Sequence, residues 1–248
     1  KKHFLQNGLI LDLHPITVNV IGAGGTGSHV MSMLAKIDNG LKRMNRKGLH
    51  VTLFDRDKVS ESNVGRQLFS ESDIGYYKSQ ILVDRCNRYY GTNWDFYPNK
   101  YPQRKFEPAN IIISCVDNVN TRFEIHNTYS NYSKFVKEEN APHYYLDFGN
   151  SVMGGQVILG TFHDIKQPEN TNSIGKLPTI IDTYLYIKDN NSRSCSSIEA
   201  FAEQDLFINM SLVPFAGSLL WNLLKNYNTI YRGFYLNLNE LKTLPIII

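Results

Sequence analysis

Gly22-Ala-Gly24-Gly25-Thr-Gly27 is the first stretch of this chain whose residue types and spacing could do chemistry. It matches G-x-G-x-x-G, in which absent side chains let backbone N–H groups approach a phosphate at the start of a helix. Alone, the motif serves any nucleotide-binding protein of the Rossmann type, and a tight turn that binds nothing could carry it too. Asp55, closing the apolar run His50-Val-Thr-Leu-Phe54, is placed to accept ribose hydroxyls, or it is an ordinary loop aspartate. The segment after it, Asp55-Arg-Asp57-Lys-Val-Ser-Glu-Ser-Asn63-Val-Gly-Arg66-Gln67, is dense in polar groups that hydride transfer has no evident need for. Adenylation by ATP does need them, because negative charge grows on the α-phosphate and on the departing pyrophosphate. Arg66 and Lys78 can neutralise that charge while Asn63 and Gln67 orient oxygens. Asp117, followed by Asn118, is a hard oxygen ligand suited to Mg²⁺ against the phosphates. Taken singly each is an ordinary surface group; their joint spacing is what points to ATP.

These groups need strands and helices to bring them together. Thr17 to Ile21 reads as a buried strand, followed by the glycines and a helical pattern through Val30, Met31, Leu34 and Ile37. Asp38 to Gly48 is polar and basic, a helix end or surface connection, with Lys42, Arg43, Arg46 and Lys47 forming a basic cluster of the kind that is usually a solvated face and could also meet an acidic partner. His50 to Phe54 completes a βαβ unit. Lys78 to Tyr90 reads as a helix, with Trp94 to Tyr97 and Ile111 to Cys115 as further strands, the last delivering Asp117 to its C-terminal end. This alternation predicts an α/β, doubly wound, mostly parallel sheet that binds ligands at the carboxyl ends of its strands. From Tyr144 the texture changes. Tyr144 to Phe148 and Gln156 to Thr161 read as strands with no helix between them, so an antiparallel extension is expected in the C-terminal part. Residues 164 to 196 read as a mobile loop, followed by a helix through Leu212, Phe215, Ala216, Leu219, Leu220, Leu223 and Leu224. A final strand at Phe234 to Leu238 closes the sheet. No internal repeat stands out.

The bulk properties set limits. With 248 residues, 42% of them hydrophobic, the chain can bury one large core, and a single domain over 1–248 is expected, with halves 1–143 and 144–248. A charged fraction of 20% and a net charge of +3 give no reason to expect nucleic acid as a partner. No apolar run approaches the roughly 20 residues that a membrane span needs, and the N-terminus has no signal-peptide core. Cys86, Cys115 and Cys195 are odd in number and widely spaced, so neither a disulfide framework nor a Cys-x-x-Cys zinc site is expected, and a reducing cytoplasm is the natural compartment. Cys86 and Cys115 sit in apolar segments as core residues. His143 and His163 lack spaced partners for a metal and read as structural. The chain opens on Lys1, as a trimmed or partial chain would.

Gly22 to Ser28, Asp55 to Gln67, Lys78, Cys115-Val-Asp117-Asn118 with Arg122, and Gly155-Gln-Val-Ile-Leu resemble, in order, the motifs of the ThiF, MoeB and ubiquitin-activating superfamily. The resemblance covers nearly the whole chain. It implies adenylation of a carboxylate, most naturally the C-terminus of a ubiquitin-like protein or a peptide. It assigns the glycine loop to nucleotide phosphates, Asp55 to ribose, Asn63, Arg66 and Lys78 to phosphates, and Asp117 to Mg²⁺ and phosphate. A homodimer is implied as well. Gly48-Leu-His-Val, Asn63 to Phe69, and Ser194-Cys-Ser followed by Gln204 to Asn209 look like the ThiF-type member of bacterial PRTRC systems. Two departures stand out. The zinc-binding Cys-x-x-Cys pairs of MoeB-like relatives are missing, and no arginine precedes Arg43, although relatives send an N-terminal arginine into the partner subunit's ATP site.

Cys195 falls near where relatives carry a loop thiol that takes the acyl group as a thioester. Ser194, Ser196 and Ser197 around it also make an ordinary polar turn, and some relatives adenylate without such a thiol, so both outcomes stay open. The rival functions are an NAD-dependent oxidoreductase, supported by the glycine motif and Asp55 alone, and a non-catalytic nucleotide-binding scaffold.

Overall fold

The structure, a computed structural model, describes residues 1–99, 101, 108–132, 136, 141–184 and 205–248. The short β1 (His3–Phe4) and α1 (Asn7–Ile10) precede β2 (Ile16–Ile21), whose β-branched Ile-Thr-Val-Asn-Val-Ile sequence suits a strand covered on both faces. The helix α2 (Gly25–Arg43) buries Val30, Met31, Leu34, Ile37 and Leu41, the spacing of a single helical face. Then come β3 (Leu49–Phe54) and α3 (Lys78–Tyr90), the latter ending on a left-handed Gly91. β4 (Asp95–Tyr97), β5 (Ile111–Ser114), α4 (Val119–Tyr132), β6 (Tyr144–Asn150) and β7 (Gly154–Thr161) follow. The chain continues with α5 (Ile180–Tyr184), α6 (Ile208–Asn226), β8 (Asn228–Thr229), β9 (Tyr231–Asn237) and β10 (Lys242–Ile247).

Among the described residues one eight-stranded sheet runs β10-β9-β7-β6-β5-β2-β3-β4, beside a small β1–β8 pair. The pairs β2–β3, β2–β5, β3–β4 and β5–β6 are parallel, whereas β6–β7, β7–β9 and β9–β10 are antiparallel. The expected doubly wound sheet with an antiparallel extension is therefore present. Strand order reverses between β2 and β5, so their carboxyl ends part and open a crevice there. One face of the sheet is covered by α2, α3 and α6, and the other by an aromatic-rich layer of Phe54, Tyr101, Tyr129, Tyr145 and Phe162. Helices α2 and α6 pack closely because each offers a glycine notch: a Cβ at Gly40 would meet the Trp221 ring at 2.9 Å, and one at Gly217 would meet Met33 at 2.8 Å. No helix among the described residues is long and apolar enough to cross a membrane.

Several expectations need correction. β9 does not close the sheet, because β10 pairs outside it as the edge strand. The helix α4 was not anticipated, its buried positions being Arg122, Ile125 and Tyr129 within a largely polar sequence. The basic cluster is not one solvated face: Arg46 is buried and donates to the carbonyls of Leu224, at 2.6 Å, and Leu9, closing the C-terminal end of α6. One short turn occurs twice. Ser60-Glu-Ser-Asn63 and Ser70-Glu-Ser-Asp73 fold into successive 3₁₀ turns, each ending on a glycine of positive φ, Gly65 at 77° and Gly75 at 90°. Of the stretch expected to be a mobile loop, residues 164–184 are described and are anchored. Ile165 and Leu177 are buried, Gln167 hydrogen-bonds both backbone groups of Phe4, and Ile174 N–H donates to Lys2 O at 2.9 Å. Cys195 lies outside the described residues.

Candidate active site

The crevice between the ends of β2 and β5 is an open cleft of about 1210 Å³. Gly22, Gly24, Gly25, Asp55, Asp57, Asn63, Arg66, Gln67, Lys78, Asp117 and Asn118 all line it, so it gathers every sequence-nominated group except Gly27 and Cys195. Each glycine does a different job. Gly22 takes a φ of 99°, and a Cβ there would lie 2.7 Å from Cys115 O, so the turn can form only with glycine. A Cβ at Gly27 would lie 2.0 Å from Gly22 O, which makes Gly27 the packing contact between α2 and its own entry loop. Gly24 faces open space, leaving room for a ligand over the helix N-terminus.

Asp55 staples this loop to β3. One carboxylate oxygen accepts the Ala23 N–H at 2.6 Å and the other accepts the Asp57 N–H at 2.7 Å, and each keeps a lone pair for a further donor. Burial raises the Asp55 carboxyl above its ordinary value, opposed by those two N–H groups and by the charge of Lys78. Lys78 opens α3 and is buried; its N–H donates to Asp57 O at 2.9 Å. In the first of the repeated turns Asn63 Oδ1 accepts the Ser60 N–H at 3.0 Å, so only the amide N–H groups of Asn63 are left to face the cleft. Arg66 Nε and Gln67 Oε1 are buried without a hydrogen-bond partner among the described residues.

Asp117 is exposed at the mouth of β5, with Oδ1 accepting from Asn118 Nδ2 at 3.2 Å. Asn118 in turn caps α4 by accepting the Thr121 N–H at 2.8 Å. Arg122, one turn into that helix, fixes this corner from beneath. It donates to Asp147 at 2.9 Å, to Val116 O at 2.7 Å and to Phe148 O at 2.8 Å, bridging the β5 loop and β6. Both members of the pair are buried, so removing either would cost about 3–5 kcal/mol. Cys86 is buried, and burial pushes its thiol up to about 11. Cys115, expected in the core, is half-buried on the cleft floor, its thiol likewise raised by burial. His143 and His163 hydrogen-bond each other at 3.1 Å beyond the opposite, N-terminal end of β6.

Asn150, Asn209 and Thr26 meet at the edge of the cleft. Asn209 Oδ1, from the first turn of α6, accepts from Thr26 Oγ1 at 2.8 Å and from Asn150 Nδ2 at 3.1 Å. Only the order of the motifs hinted at them, since Asn209 ends one of the quoted segments.

A model described as the ThiF family matches residues 3–167. The chain belongs to the ThiF family. Ubiquitin-like modifier-activating enzyme 5 of Aedes aegypti is 24% identical over 240 residues, covering 88% of this ThiF-family chain and 53% of that protein. The adenylyltransferase and sulfurtransferase UBA4 of Yarrowia lipolytica is 28% identical over 124 residues, covering 48% of the chain and 29% of that protein. The chain thus spans about half, or less, of these relatives. Among solved structures, E. coli MccB with ATP superposes with a TM-score of 0.61 at 17% identity, covering 97% of the chain and 66% of MccB. PaaA superposes with a TM-score of 0.64 at 14% identity, covering 98% and 67% respectively. These likenesses bear out the fold.

Proposed function

We propose that this ThiF-family chain is one adenylating domain that joins AMP from ATP to the carboxylate of a protein or peptide C-terminus. The observation that carries this reading is the convergence of the open glycine loop, Asp55, the Asn63-to-Gln67 turn, Lys78 and Asp117 on one cleft. The names of the relatives supply the substrate class: ubiquitin-like modifier-activating enzymes on one side, and MccB in complex with MccA on the other. A hydride-transfer reading leaves Arg66, Gln67 and Asp117 without a shared task.

The carboxylate attacks the α-phosphorus, the bond to the pyrophosphate oxygen breaks, and acyl-AMP and pyrophosphate result. The first step needs no protein nucleophile, so its rate comes from positioning and charge stabilisation. In this reading the α2 N-terminus and Gly24 receive phosphate oxygens, Asp55 takes the ribose hydroxyls, and Arg66 and Lys78 balance the charge that leaves with pyrophosphate. Gln67 and the Asn63 amide orient the oxygens. Asp117, exposed in the cleft wall, is a hard oxygen donor that suits Mg²⁺. Mg²⁺ characteristically takes one or two carboxylates and completes its shell with phosphate and water, and when bound it would supply charge neutralisation. Beyond Cys195 the reading divides into acyl transfer to that thiol as a thioester and direct transfer from acyl-AMP. A homodimer and membership of the PRTRC subgroup complete the proposal.

The test is ATP–pyrophosphate exchange in the presence of small proteins with free C-termini from the same source. Exchange that appears with one such protein and disappears in Asp117→Ala supports the reading. Binding of NAD in place of ATP would overturn it.

A further inference from the structure

Asn209 stands where three parts of the molecule meet. It lies in the first turn of α6, lines the nucleotide cleft, and accepts both from Thr26 on α2 and from Asn150 at the end of β6. With Oδ1 committed to those two donors, its Nδ2 is directed at Gly25, the first residue of α2: a Cβ on Gly25 would stand 2.7 Å from Nδ2 and 2.9 Å from the amide carbon. This accounts for Gly25, which the G-x-G-x-x-G pattern leaves free to vary. Backbone dihedral angle gives no reason for it, because Gly25 is absent from the residues of positive φ. Gly24 beside it faces open space, so the crowding is specific to the position under Asn209.

We propose that Asn209 is a positioning residue that locks the glycine loop to the end of β6, and that Gly25 is a glycine in order to admit the Asn209 amide. The inference deepens the adenylation reading and rests on it for its nucleotide readout. At its start the glycine loop is held to the neighbouring strands: Asp55, just after β3, accepts the Ala23 N–H, and Phe54 O accepts the Gly22 N–H at 2.9 Å. Asn209 supplies the opposite attachment, from the antiparallel half. Thr26 and Asn150 are 183 and 59 residues away from it in the chain, so the lock forms only once α6 has packed on α2. The phosphate loop and the start of α6 therefore hold their positions together.

The experiment combines amide hydrogen exchange on the nucleotide-free full chain with ATP and AMP calorimetry. Asn209→Ala should speed exchange of the Ser28 to Met31 amides and raise the ATP Kd by about tenfold, as expected for two lost hydrogen bonds. In exchange kinetics KM should move more than kcat. Asn209→Asp keeps the accepting oxygens, so it should restore the amide protection while weakening ATP more than AMP through its charge. Gly25→Ala should weaken ATP in the wild-type background, and adding Asn209→Ala should make it no weaker, because the methyl then has room. Wild-type amide protection in Asn209→Ala, or a Gly25→Ala loss of the same size in both backgrounds, overturns the inference. If the wild-type chain itself fails to bind ATP, the adenylation reading falls, and the amide-exchange arm still decides the lock.

Discussion

The two successive turns after β3 share a sequence pattern and a backbone, and differ in what they face. Ser60-Glu-Ser-Asn63-Val-Gly65 and Ser70-Glu-Ser-Asp73-Ile-Gly75 each place a serine N–H on the side-chain oxygen of the fourth residue, at 3.0 and 2.7 Å. In the second turn that oxygen belongs to a carboxylate, and Arg85 of α3 completes it as an ion pair. In the first it belongs to an amide, which carries no charge to pair, and the residues after its glycine, Arg66 and Gln67, line the cleft. At the matching positions the second turn has Tyr76, which is exposed, and Tyr77, which leads into α3. One backbone device is thus used twice, once closed on itself with a charge pair and once left open toward a ligand. A fixed backbone beneath polar side chains that line a cleft suits catalysis, because the donors are already in place when charge develops.

The largest expected difference lies in the two residues after the glycines. Arg66→Ala should keep its melting temperature and lose ATP–pyrophosphate exchange by a factor on the order of 10²–10³. Tyr76→Ala, at the equivalent place, should exchange ATP within about twofold of wild type, as expected for a side chain outside the cleft. Equal losses in the two variants would show that the turns do not divide the work in this way.

Asp73→Ala addresses the closed turn. It removes the cap of that turn and leaves Arg85 only the Leu68 carbonyl and water, and about 2 kcal/mol of unfolding free energy should be lost in urea titration, the sum of a cap and a charge-assisted bond. Exchange activity under folding conditions should be retained. A stable Asp73→Ala that has lost exchange would place the second turn in the site rather than beneath it.

How far the sequence reveals these differences depends on distance along the chain. β2, α3 and β5 follow from local periodicity, and α3 spans Lys78–Tyr90 as the apolar spacing indicates. The gathering of Asp55, Arg66, Lys78 and Asp117 was legible because parallel topology sends strand ends to one rim. The repeated turn was not, since it is written in Ser, Glu and Asn, which composition assigns to any loop. Nor was α4, whose inward face includes the charged Arg122 where a hydrophobic residue is expected. That arginine is buried only because Asp147 waits on β6, a pairing that no local pattern contains. Asn209 is a similar case: its partners are assembled by helix packing through Gly40 and Gly217, far from the residue itself.

Exchanging the amide and the carboxylate sharpens the comparison. Asn63→Asp keeps the oxygen that accepts from Ser60, so the turn should fold with little change in stability. It removes the amide donors and sets a negative charge beside the phosphates. ATP binding should weaken by about tenfold, a cost of about 1.4 kcal/mol, and AMP binding less, because repulsion grows with the number of phosphate charges. Calorimetry showing equal weakening of ATP and AMP would mean that Asn63 acts on the shared part of the nucleotide and not on the departing phosphates.

The smallest effect is the reverse exchange, Asp73→Asn, read against pH. Burial pushes the Asp73 carboxyl upward, but the Ser70 N–H and hydroxyl and the Arg85 guanidinium together outweigh it and hold the group below its ordinary 3.8. Above 3.8 the carboxyl is ionised in both folded and unfolded chains, and its full stabilisation is present. As the pH falls below that value the unfolded chain takes up a proton that the folded chain does not yet accept, so stability declines until the folded group is protonated too. The Asp73→Asn variant would keep an oxygen for Ser70 and lose the titration. Because Arg85 is 45% exposed, water screens the pair, and the loss at neutral pH should be under about 1 kcal/mol. The acid limb of unfolding free energy below pH 3.8 should be flatter in Asp73→Asn than in wild type. An unchanged acid limb in Asp73→Asn would show that the charge pair with Arg85 is not what separates the closed turn from the open one.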